Sequence, residues 1–315
     1  MRIVVIGQAA FGEAVFNALR EEGETVVGVC APATPEGGRP DPLRAAGEAA
    51  GLPVLPTRRL RRDQSAVQQY LDLQPDLNVM AFVTDIIPES VLFAPAHQTI
   101  QYHPSLLPRH RGASAINWAI IQGDTRTGLT IFWPDAGIDT GPILLQSEVP
   151  IGPDDTVGSV YFNHLFPLGV EAMVESVRLI REGSAPRIEQ DHSQATYEPI
   201  CRDEHAGIMW GADPEQLYNL VRGTNPQPGA IAHLKGERVR IFEAERRPAA
   251  GGSPGEILAV EPEGILVALR SGSLLIKRLQ PAGSGKVAAA AFAQERNLSP
   301  GERFTDGETS APPSS

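Results

Sequence analysis

The chain opens on an unbroken apolar run, Ile3-Val4-Val5-Ile6, closed by Gly7. Behind it Val15, Phe16 and Leu19 recur at the spacing of one helix face, and residues 25–30 form a second apolar run. A short apolar run, a segment of 3.6-residue period and another apolar run predict strand, helix and strand. Such a βαβ unit pairs its strands in parallel and lays the helix on a sheet face. The alternation continues with a Pro/Gly-rich loop at 31–42, a helix over 42–50, a short strand at Val54-Leu55 and a helix over 63–73. Further strands are predicted over 77–82, 99–102, 128–133 and 141–149, with helices over 88–93 and 113–122 between them. Residues 156–182 read as one long amphipathic helix, kinked or broken at Pro167, whose ring removes a backbone donor. Residues 183–202 have the polar composition of a linker.

Beyond this point the period changes. One helix is predicted over 214–222. The apolar runs then become short and alternating, at 229–234, 238–243, 255–260, 264–268 and 273–279, with glycines between them. Short strands at this spacing predict a small β-barrel or sandwich. The expected fold class is therefore α/β with a mainly parallel sheet, followed by a small β domain. The composition places the boundary so that 1–203 is the first domain, 204–304 the second, and 305–315 a polar tail expected to be mobile. There is no internal repeat.

Composition narrows the function classes. At 315 residues and 42% apolar content the chain can bury two cores. No apolar run approaches the roughly 18 residues needed to span a bilayer. The opening run breaks at Gly7, too early for a signal peptide, so a cytoplasmic protein without a membrane partner is expected. A net charge of −11 disfavours binding to a phosphate backbone, so nucleic acid is not the expected partner. Cys30 and Cys201 lie far apart without CxxC spacing and read as small buried apolar residues.

Candidate chemistry is concentrated in Tyr102-His103-Pro104-Ser105-Leu106-Leu107-Pro108-Arg109-His110-Arg111-Gly112 and in Asp135-Ala136-Gly137-Ile138-Asp139-Thr140-Gly141. His103 ends an apolar run, where a sheet presents ligands, and enters a loop stiffened by Pro104 and Pro108. Asp139 lies on a glycine-rich turn after another strand. If the two meet, the carboxylate orients the ring, stabilises imidazolium and holds a water. The bland readings are a structural histidine and a turn aspartate. His110 with His103, Asp135 and Asp139 matches no metal signature, so no metal is expected. Arg109 and Arg111 read as solvated loop charges before anion ligands, and Trp118 and Trp133 as core before stacking platforms. Gly7-Gln8-Ala9-Ala10-Phe11-Gly12 sits where a dinucleotide fingerprint would sit but lacks its middle glycine, the one that lets backbone approach a pyrophosphate. The reading preferred here is a tight strand-to-helix turn. There is no Gly-x-Ser-x-Gly elbow, P-loop or HExxH.

His-Pro-Ser-Leu-Leu-Pro-x-x-Arg-Gly from His103, followed by Asp-x-Gly-x-Asp-Thr-Gly from Asp135, resembles the folate-dependent formyltransferase family. Val5-Ile6-Gly7-Gln8, Ile131-Phe132-Trp133, Asp154-Asp155-Thr156-Val157 and Ala195-Thr196-Tyr197-Glu198 extend the likeness over almost the whole chain. Within the family it resembles the hydrolase domains of 10-formyltetrahydrofolate dehydrogenases and, at greater distance, methionyl-tRNA formyltransferases.

The resemblance implies a Rossmann-like formyltransferase domain with a small OB-like barrel after it. It implies 10-formyltetrahydrofolate as substrate, without NAD(P) and without metal. His103 falls on the family's general acid and Asp139 on its essential aspartate. Asp85, Ile86 and Ile87 fall on the loop that contacts folate, and Ser105, on the motif itself, is expected with them to bind substrate. The family's transferases carry Asn two residues before the histidine, where its amide holds the forming oxyanion. Here Gln101 keeps the amide with one more methylene. The carrier and aldehyde dehydrogenase parts of the larger enzymes have no counterpart in these residues. The resemblance implies hydrolysis to tetrahydrofolate and formate, with formyl transfer to an amine as the alternative. The acceptor could be a small molecule. Methionyl-tRNA would need a basic surface, and the loop at 31–42 offers only Arg39. The role of the second domain and the oligomeric state are left open.

Overall fold

A computed structural model of the chain describes residues 1–248 and 251–308. One compact unit gathers residues 1–112, 128–149 and 163–197. Its strands are β1 (Arg2–Gly7), β2 (Thr25–Ala31), β3 (Val54–Pro56), β4 (Leu77–Ala81), β5 (Thr99–His103), β6 (Arg126–Phe132) and β7 (Ile143–Pro150). Among the described residues they form a seven-stranded sheet in the order β3-β2-β1-β4-β5-β6-β7. Strands β1 to β5 are parallel, whereas β6 runs antiparallel to β5. Helices α1 (Ala9–Glu21), α2 (Pro42–Ala49), α3 (Thr57–Arg62), α4 (Gln64–Leu71) and α5 (Glu89–Leu92) connect the parallel strands. Ile3, Val4, Val5 and Ile6 are all completely buried, so both faces of β1 are covered. A doubly covered central strand reads as a continuous apolar run and not as an alternation.

The turn from β1 into α1 owes its glycine to packing. A Cβ on Gly7 would lie 2.1 Å from the Ala81 carbonyl oxygen, so only glycine lets β1 and β4 lie side by side here. Ala9 follows with φ 58°, and its N–H donates to Asp41 Oδ2 at 2.8 Å. Asp41 Oδ1 meanwhile accepts from Leu43 N at 3.0 Å and caps α2. A carboxylate thus occupies the start of α1, the place a dinucleotide phosphate would take.

Two expectations differ from the structure. The helix expected over 63–73 is α4, preceded by a separate α3; Asp63 stands between them and caps α4 through Ser65 N. The helix expected over 156–182 with a kink or break at Pro167 is interrupted, but at 161–165, just before that proline: α7 (Val157–Val160) in the other unit, a π-helical turn (Tyr161–Leu165), and α8 (Phe166–Arg181), after α6 (Ala115–Ile121) earlier in the chain. Pro167 stands in the first turn of α8 and has no N–H to return to the carbonyl four residues back. The widened turn absorbs that missing bond.

The second unit gathers residues 113–127, 150–162 and those from Glu198 onward. Helix α9 (Pro214–Gly223), capped by Asp213, lies against α6, and a Cβ on Gly223 would come within 2.5 Å of Ile121. Strands β8 (Ala230–Leu234), β9 (Glu237–Arg247), β10 (Ile257–Glu261), β11 (Gly264–Ala268) and β12 (Ser273–Pro281) are joined by β13 (Val287–Ala288) and β14 (Phe304–Thr305). They form an antiparallel half-barrel in the order β10-β11-β12-β9-β8-β14, with β13 on β12. Its core includes Trp210, Tyr218, Ile241, Ile276 and Phe292. Helix α10 (Ala289–Glu295), β13 and β14 had no counterpart in the sequence reading. Of the tail expected over 305–315, Thr305 pairs with His233 and Asp306 accepts from Trp210 N at 2.9 Å. Residues 309–315 lie outside the described residues. Among the described residues no helix is long and apolar enough to cross a membrane.

The Gly7 contact gives a stability test. Gly7→Ala forces β1 away from β4 and is expected to cost about 1–3 kcal/mol, the usual range for overpacking. Urea unfolding monitored by circular dichroism measures it.

Candidate active site

His103 is the last residue of β5 and is 5% exposed; Asp139 is 8% exposed. His103 Nδ1 lies 3.5 Å from Asp139 Oδ2, so the two side chains meet. They do not meet across a shared sheet edge. Because β6 is antiparallel to β5, Phe132 at the end of β6 pairs with Gln101, and the His103 end pairs with Thr130. The turn after β6 and the loop after β5 must therefore each fold back.

The loop after His103 is braced from within. Ser105 is fully buried; its Oγ donates to Arg109 O at 2.7 Å and its carbonyl accepts from Thr130 Oγ1 at 2.7 Å. Ser105, expected to touch substrate, is thus placed as a brace of the loop and does not line the cavity described below. Leu107 N donates to Thr130 Oγ1, and Gln146 Nε2 donates to Leu107 O. The Leu107-Pro108 peptide is cis. The loop ends with His110 and Gly112 at positive φ, and Gly112 N donates to Asp139 Oδ2 at 2.9 Å.

The Asp139 turn is built as tightly. Asp135 Oδ1 accepts from Gly137 N and from Thr140 Oγ1. A Cβ on Gly141 would lie 1.8 Å from the Trp133 carbonyl oxygen, so glycine is required there. Asp139 itself has φ 55°, a left-handed conformation that aspartate tolerates better than most residues.

His103 Nε2 lies 2.8 Å from the His110 carbonyl oxygen. A carbonyl only accepts, so Nε2 carries a proton, and Nδ1, facing Asp139, is the nitrogen left to exchange one.

Beside this pair is a cavity of about 390 Å³ whose walls include Met80, Asp85, Ile86, Gln101, Phe132 and Asp139. Ile87, Leu92 and Ile138 add apolar surface. Gln101 and His103 are two residues apart on one strand and project to the same sheet face. Gln101 and Asp139 line the cavity, while His103 stands behind Asp139 and is not part of the wall. Ile86 is 67% exposed at the cavity rim, whereas Ile87 is buried. Asp85 Oδ2 accepts from Thr57 Oγ1 at 2.5 Å and Oδ1 pairs with Arg58 at 3.4 Å, which fixes the loop that carries Ile86.

Other candidates separate by burial. Arg111 is buried, not a solvated loop charge: its Nη2 donates to Gln190 Oε1 at 2.7 Å and reaches His192 Nδ1 at 2.9 Å. Arg109 is exposed. Trp118 and Trp133 are buried, their indole N–H groups donating to Pro199 O and Pro186 O. Burial pushes the Cys30 thiol up to about 12 and the Cys201 thiol up to about 11, so neither supplies a thiolate near neutral pH. Among the described residues no group of three His, Cys, Asp or Glu could hold a metal ion. A larger groove of about 790 Å³ in the second unit, lined among others by Arg202, Arg240 and Lys286, brings no imidazole and carboxylate together.

The sequence reading missed the stretch 183–197, taken as linker. Ile188 and Ile143 exchange backbone hydrogen bonds, Arg111 N donates to Thr196 O, and His110 N donates to Thr196 Oγ1. These residues hold the site from behind. The stretch has no apolar period to announce it; only Ala195-Thr196-Tyr197-Glu198, as part of the family resemblance, pointed there.

Residues 1–177 match the formyl transferase family and residues 201–297 the formyl transferase C-terminal domain. The chain is 46% identical over 264 residues to the cytosolic 10-formyltetrahydrofolate dehydrogenase of Xenopus tropicalis, covering 82% of this chain and 29% of that protein. It is 40% identical over 319 residues to the human mitochondrial enzyme, covering 98% of this chain and 34% of that one. The chain thus spans about a third of the length of these relatives. It is also 39% identical to the methionyl-tRNA formyltransferase of Geobacter sulfurreducens, covering 96% of both chains. The fold is similar to HypX from Aquifex aeolicus in complex with tetrahydrofolic acid, with TM-score 0.71 and 22% identity over 94% of this chain and 47% of that one.

The brace at Ser105 is testable without any ligand. Ser105→Ala leaves the Arg109 carbonyl without its partner and is expected to lower stability by about 1–2 kcal/mol. Chemical denaturation reads the change.

Proposed function

The chain belongs to the formyl transferase family, and from that premise we propose that it hydrolyses 10-formyltetrahydrofolate to tetrahydrofolate and formate. The observation that carries the reading is the approach of His103 Nδ1 to Asp139 Oδ2 at 3.5 Å beside a cavity of which Asp139 forms part of the wall. The apolar walls from Ile86, Ile87, Leu92 and Phe132 suit a flat pterin and aminobenzoyl group, and Asp85 and Gln101 supply polar ends.

In the reaction a water held by Asp139 attacks the carbon of the N10-formyl group and gives its proton to the carboxylate. The carbonyl electron pair moves to oxygen, and the oxyanion is met by the Gln101 amide or backbone N–H groups. As the oxyanion collapses, the C–N10 bond breaks and N10 takes the proton that Asp139 received from water, while His103, behind the carboxylate, passes its Nδ1 proton to Oδ2; its return to Nδ1 resets the pair. The His110 carbonyl fixes the proton on Nε2, so the proton transferred is the one on Nδ1. No metal and no NAD(P) take part in these steps. The carboxylate of Asp41 at the start of α1 is in keeping with the second point.

A second reading is supported by the likeness to methionyl-tRNA formyltransferase over 96% of both chains. In it the same pair deprotonates an amine, and the formyl group passes to that amine instead of to water. A net charge of −11 argues against tRNA as the carrier of that amine and leaves a small amine acceptor.

Incubation of formyl-labelled 10-formyltetrahydrofolate with the protein alone separates the two. Label is expected to leave as formate with no acceptor present; label retained until an amine is added selects transfer. Asp139→Asn keeps shape and removes the base. It is expected to lower kcat by at least roughly 100-fold while a folate analogue still binds with affinity near that of the parent protein. Turnover at the parent rate in that variant ends the assignment.

A further inference from the structure

Gln190, in the stretch that composition marks as linker, is 5% exposed and uses its whole amide. Nε2 donates to Asp139 O at 3.0 Å and to Gly141 O at 2.7 Å, and Oε1 accepts from Arg111 Nη2 at 2.7 Å. The orientation of the amide is forced. Two carbonyls require donors and a guanidinium requires an acceptor, so exchanging its oxygen and nitrogen would break all three bonds.

We propose that Gln190 is a positioning residue for the reaction, acting through Asp139. The inference rests on the reading above that Asp139 is the base. Asp139 sits at φ 55°, and a non-glycine residue keeps such a conformation only where its surroundings determine it. Gln190 holds the backbone on both sides of Thr140, the residue that follows Asp139, and the Asp135 carboxylate holds Thr140 itself. At its other end Gln190 holds Arg111, whose neighbour Gly112 donates from its backbone to Asp139 Oδ2. One amide therefore ties the turn carrying the base to the loop carrying its hydrogen-bond donor. Arg111 adds to this, since an amide oxygen bonded to a cation leaves its N–H groups stronger donors to the two carbonyls. The placement of Oδ2 relative to His103 Nδ1 and to the cavity is set by this tie, and a displacement of about 1 Å at a reacting group is enough to cost much of a rate.

Gln190 is not on the cavity wall, so its loss should spare substrate binding. Two variants test this. Gln190→Met keeps the volume without hydrogen bonds. Gln190→Glu keeps an acceptor for Arg111 but turns lone pairs toward the two carbonyls. Each is expected to lower kcat roughly tenfold or more while KM for 10-formyltetrahydrofolate stays within about twofold. A purely structural role would lower the amount of folded protein and leave kcat per folded molecule unchanged.

A second readout needs no turnover. The Gly112 amide should exchange with deuterium roughly tenfold faster or more in both variants, while Val5 and Val79 in the sheet core keep their protection. Either kcat within about twofold of the parent, or Gly112 exchange unchanged, overturns the proposal. If the parent protein itself does not turn over 10-formyltetrahydrofolate, the functional reading fails, and Gly112 exchange still decides the role of Gln190.

Discussion

The site depends on one hydrogen bond, from the Gly112 N–H to Asp139 Oδ2. It joins two segments that the sheet sends in opposite directions, because β5 and β6 are antiparallel neighbours. The loop after His103 has to return along β5, and the turn after Phe132 has to return along β6, before the imidazole and the carboxylate meet. A returning loop presents unpaired backbone polar groups, and each has to find a partner. Here Ser105, Thr130 and Gln146 are those partners, and prolines and glycines set the bends. The density of Pro, Gly, Ser and Thr around His103 and Asp139 is thus explained by geometry. Few of these residues need to touch a ligand.

That geometry also bounds what the sequence could convey. The parallel half of the sheet was legible because β1 and its neighbours are buried on both faces and read as continuous apolar runs. His103 and Asp139 were legible as candidates because the first ends such a run and the second lies on a glycine-rich turn after a strand, each among residues of restricted composition. What joins them was not legible. Gln190 and Thr196 lie in a stretch with no period of either kind, and their value comes from contacts 49 to 86 positions away along the chain. Arg111 was read as solvated because an arginine in a loop usually is. Its burial follows from Gln190 and His192, which local sequence does not reveal. Helix α3 escaped for a related reason: of its six residues only Thr57 and Leu60 are buried, too few to mark a face.

The β1-to-α1 turn carries a different lesson. A glycine after the first strand of an α/β sheet suggests a phosphate site, and here the same glycine is required by contact with Ala81. One donor at the helix start is the Ala9 N–H, and Asp41 takes it with one carboxylate oxygen while capping α2 with the other. A phosphate would have to displace a carboxylate that is already satisfied twice and would then face its negative charge. The region that dinucleotide enzymes use for their cofactor is closed here by an internal anion, and the open volume lies instead beyond β4, β5 and β6, where Asp85, Gln101 and Asp139 converge.

Gln101 bears on which nucleophile attacks. Its backbone is fixed on both sides, by Met80 of β4 and Phe132 of β6, so it cannot slide along the sheet to compensate for the length of its side chain. Relative to asparagine, glutamine moves its amide by about one methylene, a displacement on the order of 1 Å. A donor aimed at an oxyanion loses much of its effect over that distance. Water needs less help than that. It is small and always present, and in the proposed reaction Asp139 holds it, whereas an amine would have to be bound, oriented and deprotonated at the same carbon. On the proposed roles of Asp139 and Gln101, a rigidly held base and a lengthened oxyanion donor would retain more of what hydrolysis requires than of what transfer requires. The rigid part is the turn at Asp139, and its rigidity comes from Gly112, Gly141 and the residues behind them.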